Sequence, residues 1–142
     1  PGSGALFTKV GLQLEAYCTA IGKVLLAHLP VGQREKYLAG GPFPALTDRT
    51  ITDGAKLREE LTNTIRQGFA RDDEEIAEGL ACLAVPIAMP NGRVLAAISA
   101  SRKADTKHSV RGTDFQHLSA AARQIEAAIA SSGSGDLQDA SL

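Results

Sequence analysis

Between Gly68 and Pro86 the chain reads GFARDDEEIAEGLACLAVP, an acidic run of Asp72, Asp73, Glu74 and Glu75, then Glu78, leading straight into an apolar stretch with one thiol, Cys82. Charged side chains are rarely buried without partners, so a carboxylate cluster against a core strand either wraps the mouth of a pocket or caps a turn. The pocket reading is favoured because Ser99 and Ser101, a second small polar pair, lie at strand spacing in the next apolar run. Asp72 is then the polar contact. Glu74, Glu75 and Glu78 read as a solvated loop that fixes the segment carrying it.

The second candidate is TAIGK at residues 19–23. A helix N-terminus exposes unpaired N–H groups and carries about half a positive charge, so the amides of Ala20 and Ile21 form a cradle for a carboxylate. The plainer reading is a capped helix in which Gly22 allows close packing and Lys23 is solvated. The GxxxxGK[ST] pattern of a phosphate-binding loop is absent.

An enzyme would use Cys82 as nucleophile and Asp72 or a histidine as base. A catalytic thiol needs its pKa lowered by a nearby base, cation or helix N-terminus, and the sequence puts none beside Cys82. His28 ends a helix before Pro30, His108 sits in a polar loop, and His117 lies on the final helix. Cys18 and Cys82 have no CxxC or Cys/His spacing, so no zinc site, disulfide framework or cofactor is expected, and the compartment reads as the cytosol.

These residues must be positioned by alternating helices and strands. Thr19 caps a helix from Ala20 to Ala27 that stops at Pro30. From Thr52 or Asp53 a longer helix carries Leu57, Leu61 and Ile65 on one stripe, with Gly68 as terminator; the LTDRTIT segment before it shapes the helix start. Phe69–Asp72 reads as a short strand and Leu80–Ala88 as one buried on both faces. Asn91-Gly92 predicts a two-residue type I′ hairpin into a strand from Arg93 to Ser101, with Arg102 and Lys103 as its charged end. That turn puts Pro90 opposite Arg93, and hence Ala84 opposite Ser99 and Cys82 opposite Ser101, with all four of the latter side chains on one face. Small and polar groups on a buried face leave space where Leu, Ile or Val would fill it; alternatively the serines bond to nearby backbone under a small-residue helix contact. A last helix starts with Thr113 and Gln116 in capping-box spacing, with Phe115, Leu118, Ala122, Ile125 and Ile129 on one stripe. After Ala130 the composition collapses to SSGSGDLQDASL, a tail expected to be disordered over 131–142.

Composition agrees with a single domain. The chain has 142 residues, is 44% hydrophobic and carries a formal charge of -1, which suits one soluble domain with an adequate core. With no lysine or arginine run and six aromatic residues, it is a poor candidate to grip nucleic acid itself. No apolar stretch approaches the roughly 18 residues that span a bilayer, and the start lacks the order of a signal peptide. Pro1–Gly4 reads as linker.

Taken together, YCTAIGKVLLAHLP, LTDRTIT, LREELTNTIRQGFARDDEE, GLACLAVPI, NGRVLAAISAS and the closing amphipathic helix resemble the effector-binding domain of IclR-type bacterial transcriptional regulators over about residues 5–130. The resemblance implies a GAF/profilin-like α/β (α+β) domain, a central antiparallel sheet flanked by helices, that senses a small metabolite and controls an N-terminal winged helix-turn-helix. It implies a pocket of Ala20 and Ile21 amides with Asp72, Cys82, Ser99 and Ser101, walled by Leu6, Leu14 and Leu80. It also implies a small organic or aromatic acid as effector, contact with DNA only through the N-terminal module, and homodimers or homotetramers. Measured against that family, the DNA-binding module and the first strands of the sensor would lie ahead of Ala5. An oligomerisation module without ligand is the competing reading.

Overall fold

Side chains small on one face of a sheet and large on the other organise the structure. The computed structural model describes residue 10 and residues 12–104 and 112–136. Its elements run α1 (Ala20–Ala27), α2 (Val31–Ala39), α3 (Gly54–Gln67), β1 (Ala70–Asp73), β2 (Leu80–Ala88), β3 (Val94–Lys103) and α4 (Gly112–Asp136). The strands form one antiparallel sheet in the order β1-β2-β3, helices cover both faces, and the class is α+β.

Alternate residues of a strand point to opposite faces. Leu83, Val85 and Ile87 of β2, joined by Ile98 of β3, therefore pack on Leu118 and Ala122 of α4. Fully burying aliphatic side chains of this size is worth roughly 1.5–3 kcal/mol each, so this contact is the main hydrophobic clamp on the sheet. On the opposite face Ala70 and Ala84 meet Ala20 and Val24 of α1, with Cys82 and Ala97 alongside. Methyl groups let the helix come close. A third cluster, Tyr17, Cys18, Leu26, Leu38, Leu57 and Leu61, fixes α2 and α3 against the outer side of α1.

The hairpin reaches the expected pairing by another route. Gly92 N donates to Met89 O at 2.8 Å and Met89 N to Arg93 O at 2.7 Å, and Gly92 alone in this turn has positive φ, 82°. The loop is thus the three residues Pro90, Asn91 and Gly92, with Pro at the position whose fixed φ a common turn requires, rather than a two-residue type I′ turn. Taken alone, that extra residue would shift the register by one. The pairing changes step from Ala88↔Val94 to Ile87↔Ala96, leaving the exposed Leu95 as an unpaired bulge. The two offsets cancel, and Cys82 faces Ser101 and Ala84 faces Ser99 as the shorter turn would have arranged.

Helix ends follow local chemistry. Thr19 Oγ1 accepts from Gly22 N at 3.1 Å, Asp53 Oδ1 accepts from Ala55 N at 2.6 Å, and Gly68 closes α3 at φ 83°. In α3 the third buried position is Thr64, 1% exposed, whereas Ile65 is 48% exposed. At about 100° per residue, position 64 falls roughly 20° from Leu57, on the α-helical stripe, whereas position 65 lies roughly 80° from Leu57, on the far side of Leu61. Pro30 ends α1 but also starts α2, because proline lacks an N–H that the first turn leaves unpaired anyway; that helix had no signal in a reading that treated Pro30 only as a stop. The β1 strand is shifted by one residue from the expected Phe69–Asp72. Thr113 is already helical, so it does not cap α4, and α4 continues past Ala130 to Asp136. Once nucleated, a helix adds one hydrogen bond per residue fixed, and Ser132 Oγ bonds back to Ala128 O at 3.0 Å. Ile125, at 36% exposed, falls off the buried stripe that Phe115, Leu118, Ala122 and Ile129 share.

The segment before α1 presses against it at Gly22, where a Cβ would lie 2.4 Å from both Cα and O of Ala16. Gly22→Ala is expected to cost roughly 2–3 kcal/mol by overpacking, read as a lower urea midpoint. Gly32→Ala, where a Cβ meets nothing within 4 Å, should leave the midpoint unchanged or raise it.

Candidate functional site

Antiparallel register sets the site out in rows. Asp72 on β1, Cys82 on β2 and Ser101 on β3 are directly opposite partners, and Ala70, Ala84 and Ser99 form the next row. Cys82 Sγ and Ser101 Oγ are 3.2 Å apart. Leu80 is half-buried one step along the same face, opposite Lys103. The space that small side chains were expected to leave is filled over Ala70 and Ala84, because Ala20 and Val24 pack into it, while Ser99 at the end of that row stays half-buried. At the first row the face opens, with Cys82 half-buried and Ser101 exposed.

The first turn of α1 stands at this opening. Thr19 Oγ1 satisfies Gly22 N and donates to Glu15 O at 2.8 Å, and Lys23 N bonds Thr19 O at 2.9 Å. The amides of Ala20 and Ile21 have no hydrogen-bond partner among the described residues. Ile21 and Cys82 both pack against the buried cluster of Ala20, Val24, Ala70 and Ala84. Ile21 also lines an open apolar groove of about 350 Å³ with Leu12, Leu14, Leu25 and Leu29. Leu14 thus shares a groove with Ile21, one that Asp72, Cys82, Ser99 and Ser101 do not line, while Leu6 lies outside the described residues.

Lys23 is not solvated but 0% exposed. Its Nζ donates to Glu75 Oε2 at 2.7 Å, to Arg71 O at 2.8 Å and to Glu60 Oε1 at 3.2 Å, which uses all three ammonium hydrogens. Glu75 is likewise buried, 6% exposed, against the expectation of a solvated loop. It works on Asp72: Glu75 N donates to Asp72 Oδ1 at 2.8 Å, and Asp73 N donates to Glu75 Oε2 at 3.1 Å. Asp72, 2% exposed, thus caps the acidic turn from beneath as well as standing in the row with Cys82. Burial raises the pKa of both carboxyls, against the pull of Lys23 and of the backbone N–H groups.

The loop is also tied from outside. Thr47 Oγ1 donates to Glu74 O at 2.7 Å, Thr50 Oγ1 donates to Glu75 O at 2.6 Å, and Arg49 pairs with Asp73 at 3.0 Å. The LTDRTIT segment therefore clamps the acidic turn more than it shapes the start of α3. Its Thr-x-x-Thr spacing, with both hydroxyls free to seek carbonyls, was the available signal. Arg102, read as a charged strand end, pairs with buried Asp114 of α4.

Nucleophilic chemistry has no support in this geometry. Burial pushes the Cys82 thiol up, and Asp72 adds to the rise against the opposing Ser101 hydrogen bond; Cys18 is pushed up to about 11, chiefly by burial. Both stay protonated near neutral pH and are weak nucleophiles. Burial lowers His28 at the end of α1, His117 is exposed on α4, and His108 lies outside the described residues. No cluster of three metal-ligating side chains occurs among the described residues, and no described helix is long and apolar enough to cross a membrane.

Comparison with known proteins gives concordant matches. The family model described as bacterial transcriptional regulator IclR C-terminal matches residues 5–127. The HTH-type transcriptional regulator XynR of Escherichia coli is 37% identical over 95 residues, 67% of this chain and 38% of that protein. The crystal structure of the C-terminal domain of E. coli transcriptional regulator KdgR superposes with a TM-score of 0.69 at 36% identity, covering 80% of this chain and 70% of that one. That of an IclR homolog complexed with 4-hydroxybenzoate, from Microbacterium hydrocarbonoxydans, gives a TM-score of 0.80 at 29% identity, covering 89% of this chain and 51% of that one. The chain spans less than two fifths of the length of the curated relatives it matches first. Those relatives are transcriptional regulators, not enzymes.

Removing one partner of a buried ion pair strands the other, so Lys23→Met is expected to cost about 3–5 kcal/mol near neutral pH. Without the ammonium, the Glu75 pKa rises further. The deficit should therefore shrink as pH falls from about 7.5 to about 5 and Glu75 takes a proton. Urea unfolding at the two pH values reads this, and Lys23→Met/Glu75→Gln should recover most of the loss.

Proposed function

This chain belongs to the IclR family of bacterial transcriptional regulators, as its effector-binding domain, and we propose that the row Asp72–Cys82–Ser101 beneath the first turn of α1 is its effector site. The ligand is a small organic or aromatic acid. Its carboxylate sits on the Ala20 and Ile21 amides, where the helix dipole favours negative charge. Ser99, Ser101 and Cys82 take its polar edge, and Ile21, Leu80, Leu14 and Leu6 wall its apolar body. Asp72 acts on a ligand hydroxyl or through the turn that it caps.

The observation that carries this reading is the juxtaposition of two helix-start amides, without a partner among the described residues, with an open row of hydroxyl and thiol groups. A relative of 29% identity complexed with 4-hydroxybenzoate supports the ligand class. Effector binding at the tip of α1 biases an N-terminal winged helix-turn-helix between its conformations, in a cytoplasmic homodimer or homotetramer. The close packing of Ala20 and Val24 on Ala70 and Ala84 favours a second reading, an interaction module without ligand, in which exposed Leu12 and Leu14 serve another surface.

A screen of small aromatic and aliphatic acids by thermal unfolding separates the two. A ligand at a hundredfold excess over its Kd should stabilise the native state by about 2.7 kcal/mol. Ser99→Ala and Ser101→Ala should each weaken saturable binding roughly fivefold, the loss of about 1 kcal/mol of net hydrogen bonding. No saturable shift with any acid would exclude the sensor reading in favour of the interaction module.

A further inference from the structure

Two carboxylates are buried beside the proposed effector site and share one cation. Asp72 and Glu75 are 2% and 6% exposed, and Lys23 spends its three N–H groups on Glu75, Glu60 and Arg71 O. Asp72 receives a backbone N–H from Glu75, not an ammonium. Glu75 is itself incompletely satisfied: Lys23 Nζ is 2.7 Å from Oε1, yet that oxygen has no aligned hydrogen bond among the described residues.

We propose that this site binds its anionic effector together with a proton: as the ligand carboxylate docks on the Ala20 and Ile21 amides, the Asp72–Glu75 pair takes up one proton from solvent. The inference rests on the sensor reading and deepens it. A charge buried in low dielectric needs a partner, and because Glu60, one-third exposed, already shares the ammonium with the buried pair, an arriving anion would place a fourth negative charge around it. The groups that face the pair offer no other relief. From α1 and the segment before it come Lys23 and the Cys18 thiol; from β1, Arg71 and Asp73; from α3, Glu60; from β2, the Cys82 thiol. Arg71 is exposed, with its guanidinium over the Phe69 ring at 5.4 Å, and Asp73 is held by Arg49. Protonation is the remaining route to balance. The pair is poised for it, since burial already holds both carboxyls above their ordinary range, and the neighbouring Asp72 charge raises Glu75 a little further. The proton number is one because a neutral acid in the pair restores the count of charges present before binding.

The sign is fixed by linkage. Binding that takes up a proton strengthens as pH falls, by up to about tenfold per unit, until the ligand-free pair is itself protonated. Calorimetric titration of 4-hydroxybenzoate into the full chain, near pH 7 in phosphate and in Tris, reads the proton count from the dependence of enthalpy on buffer. Uptake approaching one proton is expected, together with an affinity that rises between about pH 8 and about pH 6. Asp72→Asn keeps an oxygen for Glu75 N, and should bind more tightly near neutral pH with little proton uptake and a flat pH profile. Binding by the wild type with no proton uptake and a flat profile would overturn the proposal. If the wild type does not bind 4-hydroxybenzoate, the sensor reading fails for that acid, and unfolding without ligand decides the charge state. A carboxyl whose folded pKa is raised adds stability as pH falls, so the wild type should gain on both Asp72→Asn and Glu75→Gln between about pH 7 and about pH 5. A difference that is flat or of opposite sign overturns the proposal on its own.

Discussion

The buried ammonium of Lys23 holds together pieces that no hydrophobic contact alone would align. It belongs to α1, and its three hydrogen bonds reach the backbone of β1, the acidic turn and α3. A hydrophobic contact tolerates sliding, whereas three donors at hydrogen-bond distance fix both the position and the rotation of the helix that carries them. The tip of α1 is thereby set over the row of Asp72, Cys82 and Ser101. Such a junction is costly to desolvate, and buried ion pairs are weak contributors to net stability. Its structural return is geometric definition, since it holds the first turn of α1, the acidic turn and β1 in one fixed arrangement.

Around that junction the fold follows from a division of labour between the sheet faces. Large aliphatic side chains face α4 and supply burial, while methyl, thiol and hydroxyl groups face α1. The face that contributes less apolar area is the one that has room for chemistry. Its covered part, under Ala20 and Val24, and its open part, at Cys82 and Ser101, are a single row apart. The clamp of Thr47, Thr50 and Arg49 holds the acidic turn from the opposite side, so the floor of the site is tied to the segment that leads into α3.

Much of this was legible in the sequence where signals are local. The Thr19 and Asp53 caps, the Gly68 terminator, the bounds of β2 and the facing of the serines to Cys82 and Ala84 all rest on short-range chemistry. What escaped was set by tertiary partners. Lys23 and Glu75 read as solvated because isolated charges avoid the interior, and only their meeting across residues far apart in the chain makes burial tolerable. Thr64 displaced Ile65 because the helix period, not hydrophobicity, decides which position returns to the core. The expected cavity over Ala84 closed because the same small side chains that could have left space also admit a helix.

The bulge at Leu95 bears on how such a domain can change. A strand has two faces, so the identity of every side chain in the site depends on whether an even or odd number of residues separates it from the turn. Here parity is maintained by two compensating irregularities, a three-residue loop and one unpaired residue. Remove either irregularity with the residue count unchanged, and Ser99 and Ser101 exchange places with Ile98 and Ala100, so that the face toward α1 turns greasy and the face toward α4 polar in one step. Excising Leu95 itself would instead erase the bulge and leave Ile87↔Ala96 and every later pair as they are. The bulge is thus the one point in β3 where the chain can change length without turning the strand over.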